Sequence, residues 1–164
     1  FLVIDAMISL YFIYFASMDL PQLNLPITAL KTKLLEGTAQ VFDQVRKKYL
    51  VLTPEEWVRQ HLIYHLSENL GYPMGLMAVE HTLILNDVTK RADLVCFNKD
   101  RKPVLLAECK APNITLSQKT LDQAARYNLV LKVPTLLLSN GLNHYAVATD
   151  PMKPIAVLGS IPEF

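Results

Sequence analysis

Two short stretches carry the residue types of hydrolytic chemistry: Arg91-Ala92-Asp93 and Glu108-Cys109-Lys110. Both sit in apolar runs that read as strands, Ala92 to Asn98 and Val104 to Lys110, joined by Lys99-Asp100-Arg101-Lys102. Strand side chains alternate between faces, so Glu108 and Lys110 share one. With that loop Asn98 faces Pro103, and stepping back along both strands sets Asp93 opposite Glu108. Opposed residues have Cβ atoms about 4.5–5.5 Å apart. Two carboxylates that close repel each other unless a cation lies between them, and oxygen ligands favour Mg²⁺ or Mn²⁺. Lys110, one step along the same face, is placed to hold a phosphate or orient an attacking water. A one-residue slip would turn Asp93 to the other face. Taken singly, Asp93 and Glu108 would read as solubility charges on an edge strand. Their neighbours Leu94 to Phe97 and Val104 to Ala107 are apolar on both faces, as in a central strand, where an unused charge is costly.

The elements around these strands follow from local signals. Thr53-Pro54-Glu55-Glu56 is a helix start, with Thr53 as N-cap, Pro54 at the first position and Glu56 completing a capping box. That helix is expected to reach about Leu70 and end at Gly71 in the left-handed conformation, with Val58, Leu62, His65, Leu66 and Leu70 facing inward. Met77 to Leu85 reads as a strand and Asn86-Asp87 as a turn. After Pro112, Ser117 or Thr115 caps a helix running to about Leu131. Gln123 and Tyr127 lie four apart on it and share a face, where the amide can bond a metal-bound water or phosphate and the phenol can donate to a phosphate. Such a pair is also common on ordinary polar helix faces. Pro134 to Leu138 is a short buried strand, Ser139-Asn140-Gly141 a turn, and His144 to Thr149 another strand. Phe42, Val45 and Tyr49 have helix-like spacings, so Thr38 to Leu50 reads as a short helix ending in Arg46-Lys47-Lys48. The expected class is α/β with a central mixed sheet of about four or five strands.

With 164 residues, 51% apolar and 19% charged, the chain fills one core, which excludes disorder, collagen-like repeats and coiled coil. A net charge of +1 excludes a uniformly basic nucleic-acid glove and leaves room for a local patch, for which Arg46, Lys47, Lys48, Lys90 and Arg91 are candidates. Two cysteines make no disulfide framework, so a reduced, cytoplasmic setting is expected. The uncharged run Ala6 to Met18 has 13 residues, short of the roughly 20 that span a bilayer, and no Lys or Arg precedes Lys31. Residues 1–17 are therefore expected to be an apolar extension outside the core, whether sequence upstream of a start at Met18, a clipped signal or anchor, or a packed strand or helix. Residues 18–52 form a lead-in and residues 53–164 the working domain. His61 and His65 have a zinc-compatible spacing, but Leu62 stands where a zincin has glutamate. His81 and His144 sit in strands without an evident nucleophile. Cys109 alternates away from Glu108 and Lys110 and reads as core.

The ordered set resembles the PD-(D/E)XK nuclease superfamily: Asp93, then Glu108 and Lys110 on the adjacent strand, then Gln123 and Tyr127 on the following helix. The fuller text, with Glu56 to Gln60, Ala78-Val79-Glu80, Ala111-Pro112 and Ser139-Asn140-Gly141, is similar to the N-terminal nuclease domain of type I restriction enzyme R subunits and their free-standing relatives. The resemblance runs from about Thr53 to Asp150. It implies a three-layer α/β/α domain and a Mg²⁺-dependent phosphodiesterase acting on DNA, with other restriction or repair subunits as partners and no membrane. Asp93 and Glu108 would hold the metal, with the Cys109 main-chain carbonyl as a third ligand. Lys110 would be the catalytic lysine, and Gln123 and Tyr127 the accessory motif. An acidic residue from the first helix or strand often joins such sites, and Glu56, Glu68 and Glu80 compete for that place. Ala92 replaces the motif proline, which shapes backbone only. No P-loop occurs, so the motor of a complete R subunit is not in these residues. The alternative is a non-catalytic DNA-binding or assembly module that keeps the fold.

Overall fold

The computed structural model describes residues 20–149 and 152–164, so the apolar extension of residues 1–17 lies outside the described residues. The first strands are β1 (Thr32–Leu35), β2 (Thr38–Asp43) and β3 (Lys48–Val51), forming an antiparallel sheet in that order. This corrects the expected helix over Thr38 to Leu50. Burial alternates along β2, with Ala39, Val41 and Asp43 inward, which is a strand period. The Asp43 carboxylate then accepts from the main-chain N–H groups of Val45 and Arg46, both at 2.8 Å, and Lys47 adopts φ +54. Those bonds close a turn where helix-like spacing alone suggested continuation. Ala39, Val41 and Leu52 pack with Trp57.

Helix α1 (Pro54–Tyr64) starts at the expected N-cap, with Glu56 N–H donating to Thr53 Oγ1 at 3.1 Å, but the expected capping box is not closed, because the Glu56 carboxylate turns to Arg46, Arg59 and Gln60. It continues as a wider π-helical turn (His65–Asn69), and Gly71 follows at φ +78. Val58, Leu62 and Leu66 are buried as expected, whereas His65 is only half-buried and Ile63 joins the core.

Six strands make the main sheet in sequential order: β4 (Met77–Leu85), β5 (Val88–Phe97), β6 (Pro103–Cys109), β7 (Thr135–Ser139), β8 (His144–Ala148) and β9 (Ala156–Leu158). All pairings are antiparallel except β6 with β7, which α2 (Gln118–Leu131) connects. The α/β class and the mixed sheet hold, and the count exceeds the four or five strands expected. Leu94, Cys96, Leu105, Ala107 and Leu137 pack with α1 residues. Val95, Leu106, Leu136 and Leu138 pack with Leu121, Ala124 and Ala125 of α2. β5 and β6 are thus covered on both faces, which explains their unbroken apolar runs.

Gly141 shows how the lead-in is held. It sits at φ +82, and a Cβ there would meet Leu23 Cδ2 at 2.6 Å and Val58 Cγ2 at 3.0 Å. Asn24 N–H donates to the Gly141 carbonyl at 2.7 Å. Only glycine lets the chain around Leu23 pass this close to α1. Among the described residues no helix is long and apolar enough to cross a membrane.

Candidate active site

The β5–β6 register determines where the carboxylates fall. Leu94 faces Ala107, Val95 faces Leu106 and Cys96 faces Leu105, so one more step brings Asp93 level with Glu108. The end of the hairpin differs from expectation. Phe97 pairs with Pro103 across a bulge, and Asn98 N–H donates to the Lys102 carbonyl at 2.9 Å. The ladder also stops at Leu94–Ala107, so Asp93 and Glu108 are not a ladder pair. Instead Asp93 Oδ2 accepts from Cys109 N–H at 2.8 Å. The side chain replaces a strand partner and holds β6 where the strands part.

Glu108 lies beyond that point, 1% exposed. Its Oε1 accepts from Lys110 Nζ at 2.6 Å and from Gln123 Nε2, while Oε2 is buried without a partner among the described residues. Gln123 Nε2 also donates to the Tyr127 hydroxyl at 3.3 Å. Residues from β5, β6 and α2 therefore meet at one end of the sheet, with Leu121, Ala124 and Ala125 turned toward the strands. Burial, and then the nearby Asp93, push the Glu108 carboxyl up to about 7, against the opposing Lys110 bond. Lys110 is depressed by burial, but the bond and charge of Glu108, with Asp93 and Glu55, leave it net raised and cationic.

Because the Glu108 proton leaves the unfolded chain near its ordinary value of 4.5, the folded protein holds an extra proton between there and about 7. Stability of the ion-free protein is expected to fall as pH rises through that window. Urea denaturation in chelator checks this. Glu108→Gln should flatten the slope, and an unchanged slope would remove Glu108 as its source.

Sequence reasoning did not find Arg59, the hub of the adjoining cluster. It is 4% exposed. Its Nη2 donates to Asp93 Oδ1 at 3.3 Å and Glu55 Oε1 at 3.1 Å, and its Nη1 to Glu56 Oε2 at 2.8 Å. Glu80 Oε1 lies 3.5 Å from Nη1. Burial opposes the charge of Arg59, but Glu56 and Asp93 outweigh it and raise its pKa. The signal was available: Arg59, Leu62, Ile63 and Leu66 follow the helical period, so an arginine stands on a core-facing stripe.

The acidic alternatives separate. Glu56 is buried and committed to Arg59, to Gln60 at 2.8 Å and to Arg46 at 3.2 Å. Glu80 stands on β4 level with Asp93, at φ +50, a left-handed backbone inside a strand. Such strain in a non-glycine residue requires surrounding structure to hold it. Glu80 lies within 3.7 Å of Arg46 and 3.6 Å of Arg91. Glu68 is exposed on the π-helical turn and joins none of these contacts. Arg46 and Arg91 are thereby engaged with carboxylates.

Cys109 contributes backbone only, since its thiol is fully buried and raised well above its ordinary value by burial and then Asp93. His61 Nδ1 is bonded to the Trp57 carbonyl at 2.8 Å and His65 Nδ1 to Asn69 Oδ1 at 3.1 Å, so each is used within its own helix. His81 lies against the Phe97 ring, and His144 joins Ser139 Oγ to the Asn24 carbonyl.

Among the described residues no three His, Cys, Asp or Glu side chains are grouped to hold an ion. A hard cation here would use the Asp93 and Glu108 carboxylates completed by main-chain oxygen. The unpartnered, buried Glu108 Oε2 and the all-oxygen donor set fit such an ion.

A solved fragment of the HsdR subunit assigned to a type I restriction enzyme of Vibrio vulnificus YJ016 is similar at TM-score 0.44 and 20% identity, over 60% of this chain and 21% of that chain. The present chain thus spans about a fifth of the length of that solved protein. No curated protein matches by sequence. The family model of the type I restriction enzyme R protein N terminus matches residues 54–162, from the first turn of α1 to beyond β9. The match takes in every residue of the cluster just described except Arg46, and the chain belongs to the family of type I restriction enzyme R protein N-terminal domains.

Proposed function

We propose that this domain is a PD-(D/E)XK-type nuclease module that hydrolyses DNA phosphodiesters with Mg²⁺ or Mn²⁺, working beside the other subunits of a type I restriction system. One observation carries the reading: Glu108 keeps a buried carboxylate oxygen unpartnered while Lys110 and Gln123 converge on the other. One helix on each face of the main sheet suits the α/β/α, restriction-endonuclease-like arrangement. A divalent cation, when bound, supplies Lewis acidity toward a phosphoryl oxygen and makes a water more nucleophilic at neutral pH. Asp93 and Glu108, with the Cys109 carbonyl, would hold it. Lys110 would place its ammonium against the charge that develops on the phosphoryl oxygens. Gln123 and Tyr127 would orient a phosphate oxygen beside Glu108. Glu80, partly exposed and opposite Asp93, is better placed than Glu56 to add an acidic group.

A second reading has its own support. Lys110 at 2.6 Å from Glu108 and Arg59 at 3.3 Å from Asp93 already give both carboxylates a resident cation. That is what a non-catalytic DNA-binding or assembly module would also need. Incubation of supercoiled plasmid with the protein and Mg²⁺ or Mn²⁺ separates the two. Open-circle product that vanishes with chelator supports hydrolysis. Intact plasmid in both metals, and intact linear and single-stranded DNA, assigns the domain to the second reading.

A further inference from the structure

The face of α2 that carries Gln123 and Tyr127 does not end at the carboxylates. It continues into a cleft between α2 and the β4–β5 turn, lined by Asn86, Lys90, Lys119, Gln123, Arg126 and Tyr127. Lys119, Gln123, Arg126 and Tyr127 recur at helical spacing and form one stripe. Lys90 reaches the same cleft from β5, just past the Asn86-Asp87 turn, whose residues stand at φ +51 and +62.

The charge of this cleft is one-sided. Three cations line it and no carboxylate does. In a chain with 16 basic and 15 acidic residues that is a local departure from balance. Among the described residues none of the three forms an ion pair, although Arg46, Arg59, Arg91 and Lys110 all do. Arg126 spends Nε on the Asp122 carbonyl at 3.1 Å, and Asp122 itself is bonded to Gln118 at 2.8 Å. All three cations are exposed. Gln123 and Tyr127 also line the cleft, and Gln123 donates to both the Tyr127 hydroxyl and Glu108.

We propose that this cleft is the track for the phosphodiester backbone of DNA, with Lys90, Lys119 and Arg126 meeting phosphates spread over a few nucleotides and Gln123 and Tyr127 handing the strand on to Glu108. Lys119 and Arg126 are seven positions apart, about 10.5 Å along the helix axis. That is the rise of about three nucleotides at 3.4 Å each. The cations contact backbone rather than bases, so recognition here carries no sequence preference. The proposal rests on the DNA reading above, but it concerns binding and not bond cleavage.

The salt dependence of binding reads the number of phosphates neutralised, at about 0.9 in the log–log slope for each cation lost on duplex DNA. The test is fluorescence anisotropy of a labelled duplex of arbitrary sequence with the full chain, in chelator so that no cleavage occurs. Replacing Lys90, Lys119 and Arg126 by Gln, one at a time, should lower the slope by about 0.9 each, and the effects should add. Lys99→Gln, Arg101→Gln and Lys102→Gln, at the opposite end of β5, should leave the slope at its wild-type value. Equal loss in the two sets, an unmoved slope in the cleft variants, or no duplex binding by the wild type would overturn the track. A wild type that binds through the cleft yet leaves plasmid intact with Mg²⁺ and Mn²⁺ would remove the nuclease reading and keep the track. Cleavage with an unmoved slope would do the reverse.

Discussion

Lys110→Ala is expected to lower DNA cleavage by about 10²-fold or more while the fold and the affinity for Mn²⁺ stay near wild type. The scale is that of removing one positioned charge or proton-transfer group from a transition state. Lys110 is on the rim of the site, with its side chain 23% exposed and, among the described residues, bonded only to Glu108. Its loss leaves Glu108 buried, but an ion at saturating concentration supplies the missing positive charge. Were Lys110 merely a neutraliser, the variant would unfold more readily without metal, and Mg²⁺ would restore both stability and full activity. Single-turnover nicking at saturating Mg²⁺, with calorimetric Mn²⁺ titration and urea denaturation on the same samples, tells the roles apart. A Lys110→Ala protein that cleaves at the wild-type rate would sink the proposed mechanism. Asp93→Ala should behave differently, losing ion binding and activity together, because it removes a proposed ligand and frees the Cys109 amide.

The largest stability effect is expected at Arg59. Removing one partner of a buried ion pair typically costs about 3–5 kcal/mol, because the other charge stays buried and uncompensated. Arg59→Ala leaves Glu56, which is 7% exposed, with Arg46 as its remaining cation, and takes from Asp93 its only cation within bonding reach among the described residues. Arg59→Lys should lose less, since it keeps the charge but cannot fork across Glu55, Glu56 and Asp93 at once. Lys47→Ala, on the exposed turn after β2, should change stability by no more than about 0.5 kcal/mol. Urea midpoints with unchanged m-values provide the measurement. An Arg59→Ala protein within about 1 kcal/mol of wild type would mean that water, rather than the guanidinium, serves these carboxylates.

Much of the site was legible because its signals are local. Thr53 and Pro54 start α1 through chemistry complete within four residues. The Asn86-Asp87 turn and the apolar runs around it determine β4 to β6, and their register carries Asp93 to the level of Glu108 even though a bulge reshapes the hairpin end. Gln123 and Tyr127 share a face by helical period alone, and the same period turns Ala124 to the sheet.

Other features depend on residues far apart in the chain. Arg59 and Asp93 are separated by 34 positions, so no window of sequence shows that the guanidinium pairs with this carboxylate. Glu80 has a left-handed backbone, and Arg46, Arg59 and Arg91, drawn from three different parts of the chain, gather around its carboxylate. The lead-in became a sheet because Asp43 closes a turn and Trp57 covers its apolar side. The amino-acid order by itself determined which residues occupy which strand, face and helix stripe, since alternation and capping act over a few residues. Only the tertiary structure decided which charges are paired and which stay free, because that depends on electrostatics and burial summed over every element packed nearby.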